Sequence, residues 1–181
     1  MIAGFLVLGA GTVALAGGLA GVLHGRGAAV GSTLMGLAGI GLIVAGLARN
    51  DCSSELDACA DRIEAGQVSW HHATHDLVSL VIFLALVAAP LVFARSFRRE
   101  QSWRNLSAYS MITGVLGLVL LIAFVTGVAG SYNGLVQRLF VTVPFLWIAV
   151  LGARLIRVSR AQPSTPAAIQ GQKTDRTRPR P

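Results

Sequence analysis

Charge is scarce in this chain: only 13% of its 181 residues are charged, against 54% hydrophobic, and mean hydropathy is +0.65. A water-soluble domain of this length needs more polar surface than that, which leaves a membrane as the solvent. Also missing are a P-loop, a dinucleotide fingerprint and a nucleophile elbow, so classical soluble enzyme chemistry has no support. No basic segment precedes the first apolar run, and no Ala-x-Ala-like site leads into a polar mature domain. The start therefore reads as a retained anchor and not a cleaved signal peptide.

What charge there is runs strongly basic, with net +7 and a pI near 11.0. In a soluble protein this would suggest nucleic acid. Here the basic residues sit between apolar runs and in the tail, where the positive-inside rule accounts for them without a nucleic-acid partner. Apolar runs cover about 2–23, 28–48, 77–94, 106–130 and 135–156. Each approaches the roughly 20 residues that cross a hydrocarbon core as helix. The fold class expected is all-α: a polytopic transmembrane bundle of five spans over residues 1–158, a short outer-loop helix, and a disordered basic cytoplasmic tail over 159–181. The third run is the shortest and reaches full length only if His75 and Asp76 form its first turn. Trp70 and Trp103 fall at run boundaries, where amphipathic rings settle at headgroup level.

Arg26 lies in the first gap, Arg95, Arg98, Arg99 and Arg104 in the third, and Arg154, Arg157 and Arg160 begin the tail. The second gap holds Asp51, Glu55, Asp57, Asp61 and Glu64 against Arg49 and Arg62. This asymmetry predicts a multi-pass cell-membrane protein with cytoplasmic odd gaps and tail and an outward N-terminus and acidic loop. In that loop Ser53 or Ser54 can cap a helix carrying Leu56, Cys59, Ala60 and Ile63 on one stripe, with Gly66 as its stop. Cys52 and Cys59 face the predicted oxidising side, so a disulfide is expected over two free thiols. Residues seven apart in one helix cannot bridge, so Cys52 must precede the helix and fold back. The tail is too polar to form a core and is expected to be a solvated extension near anionic headgroups.

One titratable cluster stands out, His71-His72-Ala73-Thr74-His75-Asp76 at the start of the third run. Ionisable groups at a bilayer boundary need partners, which makes such a cluster a candidate site. On a helix His72, His75, Asp76 and Ser79 share one face, with His71 on its edge. The bland reading is that they hydrogen-bond loop backbone and lipid headgroups. The sharper one is zinc held by His72, His75 and Asp76, helped by Asp51 or Asp57, because His71 and His72 diverge too far to join one site. Arg138, about one turn inside the fifth run, should pair with Asp76 or Asp51 and fix helix packing, or bind a lipid phosphate or an anionic substrate.

Small residues at fourth positions, Gly17, Gly21 and Gly25 and again Ala10, Ala14 and Gly18, permit close helix packing or dimerisation. Pro90 and Pro144 should kink their spans or open a backbone carbonyl. Trp147 reads as packing and His24 as a boundary residue.

The segments GFLVLGAG, GIGLIVAGL running into RNDCS, SWHHATHDL, SWRNLSAYS, GLVQRLF and FLWIAVLGARLIR resemble the bacterial membrane family catalogued as domain of unknown function 998. The resemblance covers nearly everything up to the tail, and the Asp51 loop, the His75 region and Arg138 match the family's polar positions. It implies a multi-pass fold with no established activity, cofactor or partner. Members typically have six predicted spans, so it also implies that this chain begins at the second.

The reading these features support is a non-enzymatic membrane protein without a cofactor. Its outward polar pocket of Asp51, His72, His75, Asp76, Ser79 and Arg138 would bind membrane lipids, a second copy or another membrane protein. Two alternatives stand beside it. One is a zinc-dependent membrane hydrolase acting on lipids, with metal-bound water as nucleophile. The other is a proton-coupled carrier titrating Asp76 and the histidines, for which the inner halves of the spans offer only Ser107, Ser110 and Thr113 as a polar path.

Overall fold

The computed structural model describes residues 2–52 and 57–161. Its helices are α1 (Ile2–Val22), α2 (Arg26–Leu47), α3 (Asp57–Glu64), α4 (Trp70–Phe97), α5 (Leu106–Thr126) and α6 (Asn133–Ala161), with a single 3₁₀ turn at Gly130–Tyr132. Five of these are long and apolar enough to cross a membrane. Ser53, Ser54, Glu55, Leu56, the side chain of Asp57 and the tail beyond 161 lie outside the described residues.

The third span departs furthest from the apolar runs. With 28 residues α4 is about 42 Å long, against a hydrocarbon core of roughly 30 Å. The surplus is two turns at its start, because the helix begins at Trp70. Ser69 sets that start, with extended backbone and a side chain that accepts from the His72 N–H. The cluster from His71 to Asp76 is therefore helical, in the first two turns of α4. At the other extreme α5 stops at Thr126, short of the expected 130, because Gly127 takes φ +63° in the left-handed region and ends the helix.

The spans alternate in direction, and each packs mainly on the next: α1 on α2, α2 on α4, α4 on α5, α5 on α6. One end carries Arg26, Arg95, Arg98, Arg99, Arg104 and Arg154; the other carries Asp51 and α3. Gly9 and Gly39 bring α1 and α2 together, since a Cβ on Gly9 would lie 2.6 Å from the Gly39 carbonyl oxygen and one on Gly39 would lie 2.9 Å from that of Gly9. The expected stripe is a different one. A Cβ added at Gly17 or Gly21 would meet nothing within 4 Å, and Ala10 and Ala14 are exposed, so these residues face away from the bundle. Gly18 alone of that set meets another span, facing Leu155 of α6.

Aromatic rings fill the arginine-rich half. Phe93, Phe97 and Trp103 stack in series at 5.2 and 5.3 Å. Trp103 is thus buried under the α4–α5 turn and presents no exposed ring to headgroups, whereas Trp70 is exposed. Trp147 is fully buried, and its Nε1 donates to Ser110 Oγ at 2.9 Å. The turn itself is tied down by Arg154, whose guanidinium donates to the Ser102 carbonyl, and by Arg98, whose Nε donates to Ser107 Oγ at 3.3 Å. Both prolines, Pro90 and Pro144, lie inside continuous helices.

Candidate functional site

The loop that follows α2 and the start of α4 are joined by a short hydrogen-bond circuit. Ser69 donates twice to the Asp51 carboxylate, through its backbone N–H to Oδ2 and through its hydroxyl to Oδ1 at 2.9 Å. Those two donors, the backbone N–H first, hold the Asp51 carboxyl below its ordinary pKa of 3.8, with the Arg62 charge as a lesser contribution. Asp51 returns the contact with its own backbone N–H, which donates to His72 Nδ1 at 3.2 Å. One turn on, His75 Nδ1 lies 3.0 Å from the Ala45 carbonyl and 3.1 Å from that of Ala48. Those carbonyls belong to the last turn of α2, where no intrahelical N–H remains to satisfy them. His75 therefore caps α2 from a neighbouring helix.

These contacts fix the two imidazoles in opposite tautomers. Carbonyl oxygens only accept, so Nδ1 of His75 carries the proton and Nε2 is the acceptor of its neutral ring. In His72 Nδ1 accepts, so the neutral ring carries its proton on Nε2. That nitrogen lies 3.3 Å from Asp76 Oδ2 but is not aligned as a hydrogen bond. His72 is 2% exposed and the Asp76 side chain 54%.

Cys52 and Cys59 form a disulfide with Cα atoms 5.8 Å apart, and Cys52 precedes α3 as the spacing requires. Gly66 stops α3 at φ +65°, where its N–H bonds to Ile63 and that of Gln67 to Arg62, in each case at the carbonyl. The bridge closes the loop immediately after Asp51.

Beside this circuit a cavity of about 720 Å³ opens between α1, α2, α4, α5 and α6. Its polar lining is Asn50, His75, Asp76, Ser79 and Gln137; the rest is apolar, including Leu8, Phe83, Leu121 and Phe145. α1 and α6 meet near the arginine-rich end, at Gly18 and Leu155, and at the opposite end the cavity lies between them.

A family model described as Protein of unknown function (DUF998) matches residues 1–154. The chain belongs to this family. The DUF998 match takes in the first four spans, the fifth as far as Arg154, the disulfide loop and every residue that lines the cavity. No curated protein and no solved structure gives a significant match.

The predicted site residues of this DUF998 chain fall into three groups. His75, Asp76 and Ser79 line the cavity. Asp51 and His72 stand behind it as the circuit that sets α4 in place, so their ties are to loop backbone, as the bland reading has it. Arg138 is exposed, lies outside the lining, and pairs with neither Asp76 nor Asp51. Gln137, Val141 and Phe145 line the cavity, whereas Arg138, about 100° from Gln137 around α6, stands at the edge of that face, where its long side chain keeps its charge exposed. Asn50 and Gln137 are lining residues that the sequence reading missed.

Among the described residues no group of three or more His, Cys, Asp or Glu side chains is placed to hold a metal ion. For His72, His75 and Asp76 the reason is visible, since Nδ1 of each ring is committed to backbone and the Nε2 of His72 carries its proton toward Asp76. Of the polar residues on α5, Ser107 donates to the Ala94 carbonyl at 2.7 Å and Ser110 accepts from Trp147. Both serve helix packing.

Proposed function

We propose that this protein binds a membrane amphiphile, with the polar end among Asn50, His75, Asp76, Ser79 and Gln137 and the tail against the apolar walls below. The cavity carries this reading. Its volume of about 720 Å³ falls within the roughly 300–1,000 Å³ usual for small-molecule sites, mostly apolar with a few convergent polar groups. Three turns of a partner helix, about 10 Å across and 16 Å long, would fill roughly 1,250 Å³, so a helix of a second protein is too large for it. Among the described residues Ser79 lines the space beside His75, whose Nδ1 is engaged by the Ala45 and Ala48 carbonyls.

The arginine-rich end is proposed to face the cytoplasm of a bacterial inner membrane and the cavity mouth to face outward. Arginine asymmetry and the disulfide beside the mouth are independent supports, since disulfides persist on the oxidising side. A Gln67→Cys substitution in a Cys52→Ser, Cys59→Ser background should label with a membrane-impermeant maleimide in intact cells; labelling only after lysis would reverse the orientation.

Native mass spectrometry of the detergent-extracted protein tests the binding. Gly4 lines the cavity and a Cβ there would meet nothing within 4 Å, so Gly4→Leu is the substitution chosen to narrow the cavity. Copurified lipid should be lost in Gly4→Leu and kept in Arg138→Ala. Lipid retained equally in both, or a copurified protein in place of lipid, would overturn the proposal.

A further inference from the structure

Resting on the amphiphile reading, we infer that the polar end of the cavity selects a cationic amphiphile, an alkyl chain bearing an ammonium group, and disfavours one bearing phosphate. Acceptors outweigh donors in the lining. Asp76 is its acidic residue, and no arginine or lysine accompanies it among the described residues. The basic residue that the sequence offered as its partner, Arg138, is exposed and lies outside the lining. What neutralises Asp76 inside the protein is slight: a single unaligned contact from His72 Nε2, on a carboxylate that accepts at about four lone-pair sites and is 54% exposed.

His75 adds to the same imbalance. Its donor nitrogen is taken by the Ala45 and Ala48 carbonyls, which leaves an acceptor, Nε2, on the ring that lines the cavity. Asn50, Ser79 and Gln137 both donate and accept and so favour neither sign. The site is therefore rich in acceptors and negative in sum, with apolar walls beneath. An ammonium supplies three donors and the opposite charge. A phosphate brings acceptors and like charge to a place with no guanidinium to receive it.

Zwitterionic bilayer lipids differ in this respect from a simple alkylamine. A headgroup carrying both ammonium and phosphate would gain at Asp76 and lose beside it. The occupant to which the lining is complementary is thus monocationic.

Competition measured by native mass spectrometry in a non-ionic detergent tests this, with decylammonium, decanol, decyl phosphate and a short-chain phosphatidylethanolamine as probes. A charge-assisted hydrogen bond predicts retention of decylammonium about tenfold over decanol, with decyl phosphate below decanol and the phosphatidylethanolamine no better than decanol. Asp76→Asn should erase the tenfold advantage of decylammonium over decanol, and Gly4→Leu should lower all four. Equal retention of the four probes by the wild-type protein, or preference for decyl phosphate, with sensitivity to Gly4→Leu, would overturn the ammonium inference and leave the amphiphile reading standing. Retention of every probe insensitive to Gly4→Leu would overturn both. The wild-type comparison needs no variant to fold.

Discussion

Asp51 and His72 are bonded through the backbone of one and the ring of the other: the Asp51 N–H donates to His72 Nδ1 at 3.2 Å, while the Asp51 carboxylate turns to Ser69. A carboxylate and an imidazole this near would ordinarily suggest an ion pair. Here the pairing instead fixes a tautomer and ties the loop after α2 to the first turn of α4.

Removing the ring should therefore cost stability through an orphaned donor. His72 is 2% exposed, so His72→Ala leaves the Asp51 N–H without an acceptor and opens a void, together costing about 2–4 kcal/mol. His72→Asn, whose side-chain oxygen accepts where Nδ1 does, should recover about half of that. Thermal unfolding in detergent, followed by circular dichroism, compares the two; equal losses would show that the acceptor is unimportant.

The Asp51 carboxylate predicts an acid limit to the same contact. Its pKa in the folded protein lies below the ordinary 3.8 because the charged form accepts from Ser69. A lowered native pKa means that stability is fully present above the unfolded value and is lost as pH falls from 3.8 through the native value. Asp51→Asn should flatten the dependence of Tm on pH below 3.8 and leave the shape of the profile near neutrality unchanged. A Tm profile identical to wild type in that acid range would remove Asp51 from the account.

How much of this was legible in the sequence differs by the range of the interaction. Span number, the α3 helix, the Cys52–Cys59 bridge and the burial of Trp147 follow from local length, spacing and composition, and they are present. The start of α4 was legible only in part: the spacing puts His72, His75, Asp76 and Ser79 on one helical face, but that the helix begins at Trp70 follows from the Ser69 cap, itself held by long-range bonds to Asp51. Trp103 misled because a boundary position in sequence says nothing of the turn that folds it onto Phe97. At Arg138 the charge drew attention away from its neighbour Gln137, which lines the cavity while Arg138 is exposed; both are spaced to share a face with Val141 and Phe145, so spacing does not separate them.

Opening the disulfide should loosen the acidic loop without dissolving the bundle. Closing a loop of this length is worth about 2.5 kcal/mol in chain entropy, and the bridge joins only the segment from Cys52 to Cys59. Reduction, or Cys52→Ser with Cys59→Ser, should speed amide exchange in α3 and protease cleavage near Gly66, and leave exchange in α2 and α4 nearly as slow as before. Equal acceleration in the spans would mean that the bridge supports the whole fold.

The packing of α1 on α2 makes a prediction about which glycines matter, and here abundance had concealed the answer. α1 carries small residues on every side, so spacing alone selects Gly17 and Gly21 as readily as Gly9. Geometry separates them: Gly9 and Gly39 are each too near the other's carbonyl to admit a Cβ, while Gly17 and Gly21 face open space. Backbone cannot yield as a flexible side chain does, so Gly9→Ala and Gly39→Ala should each force the helices apart and cost about 1–3 kcal/mol. Gly17→Ala and Gly21→Ala should be neutral in detergent. Should these outer positions also prove intolerant, measured as loss of a sedimenting dimer with monomer stability unchanged, the exposed stripe would be a contact between copies and not part of the fold. Intolerance at Gly17 with full tolerance at Gly9 would contradict the helix pairing itself.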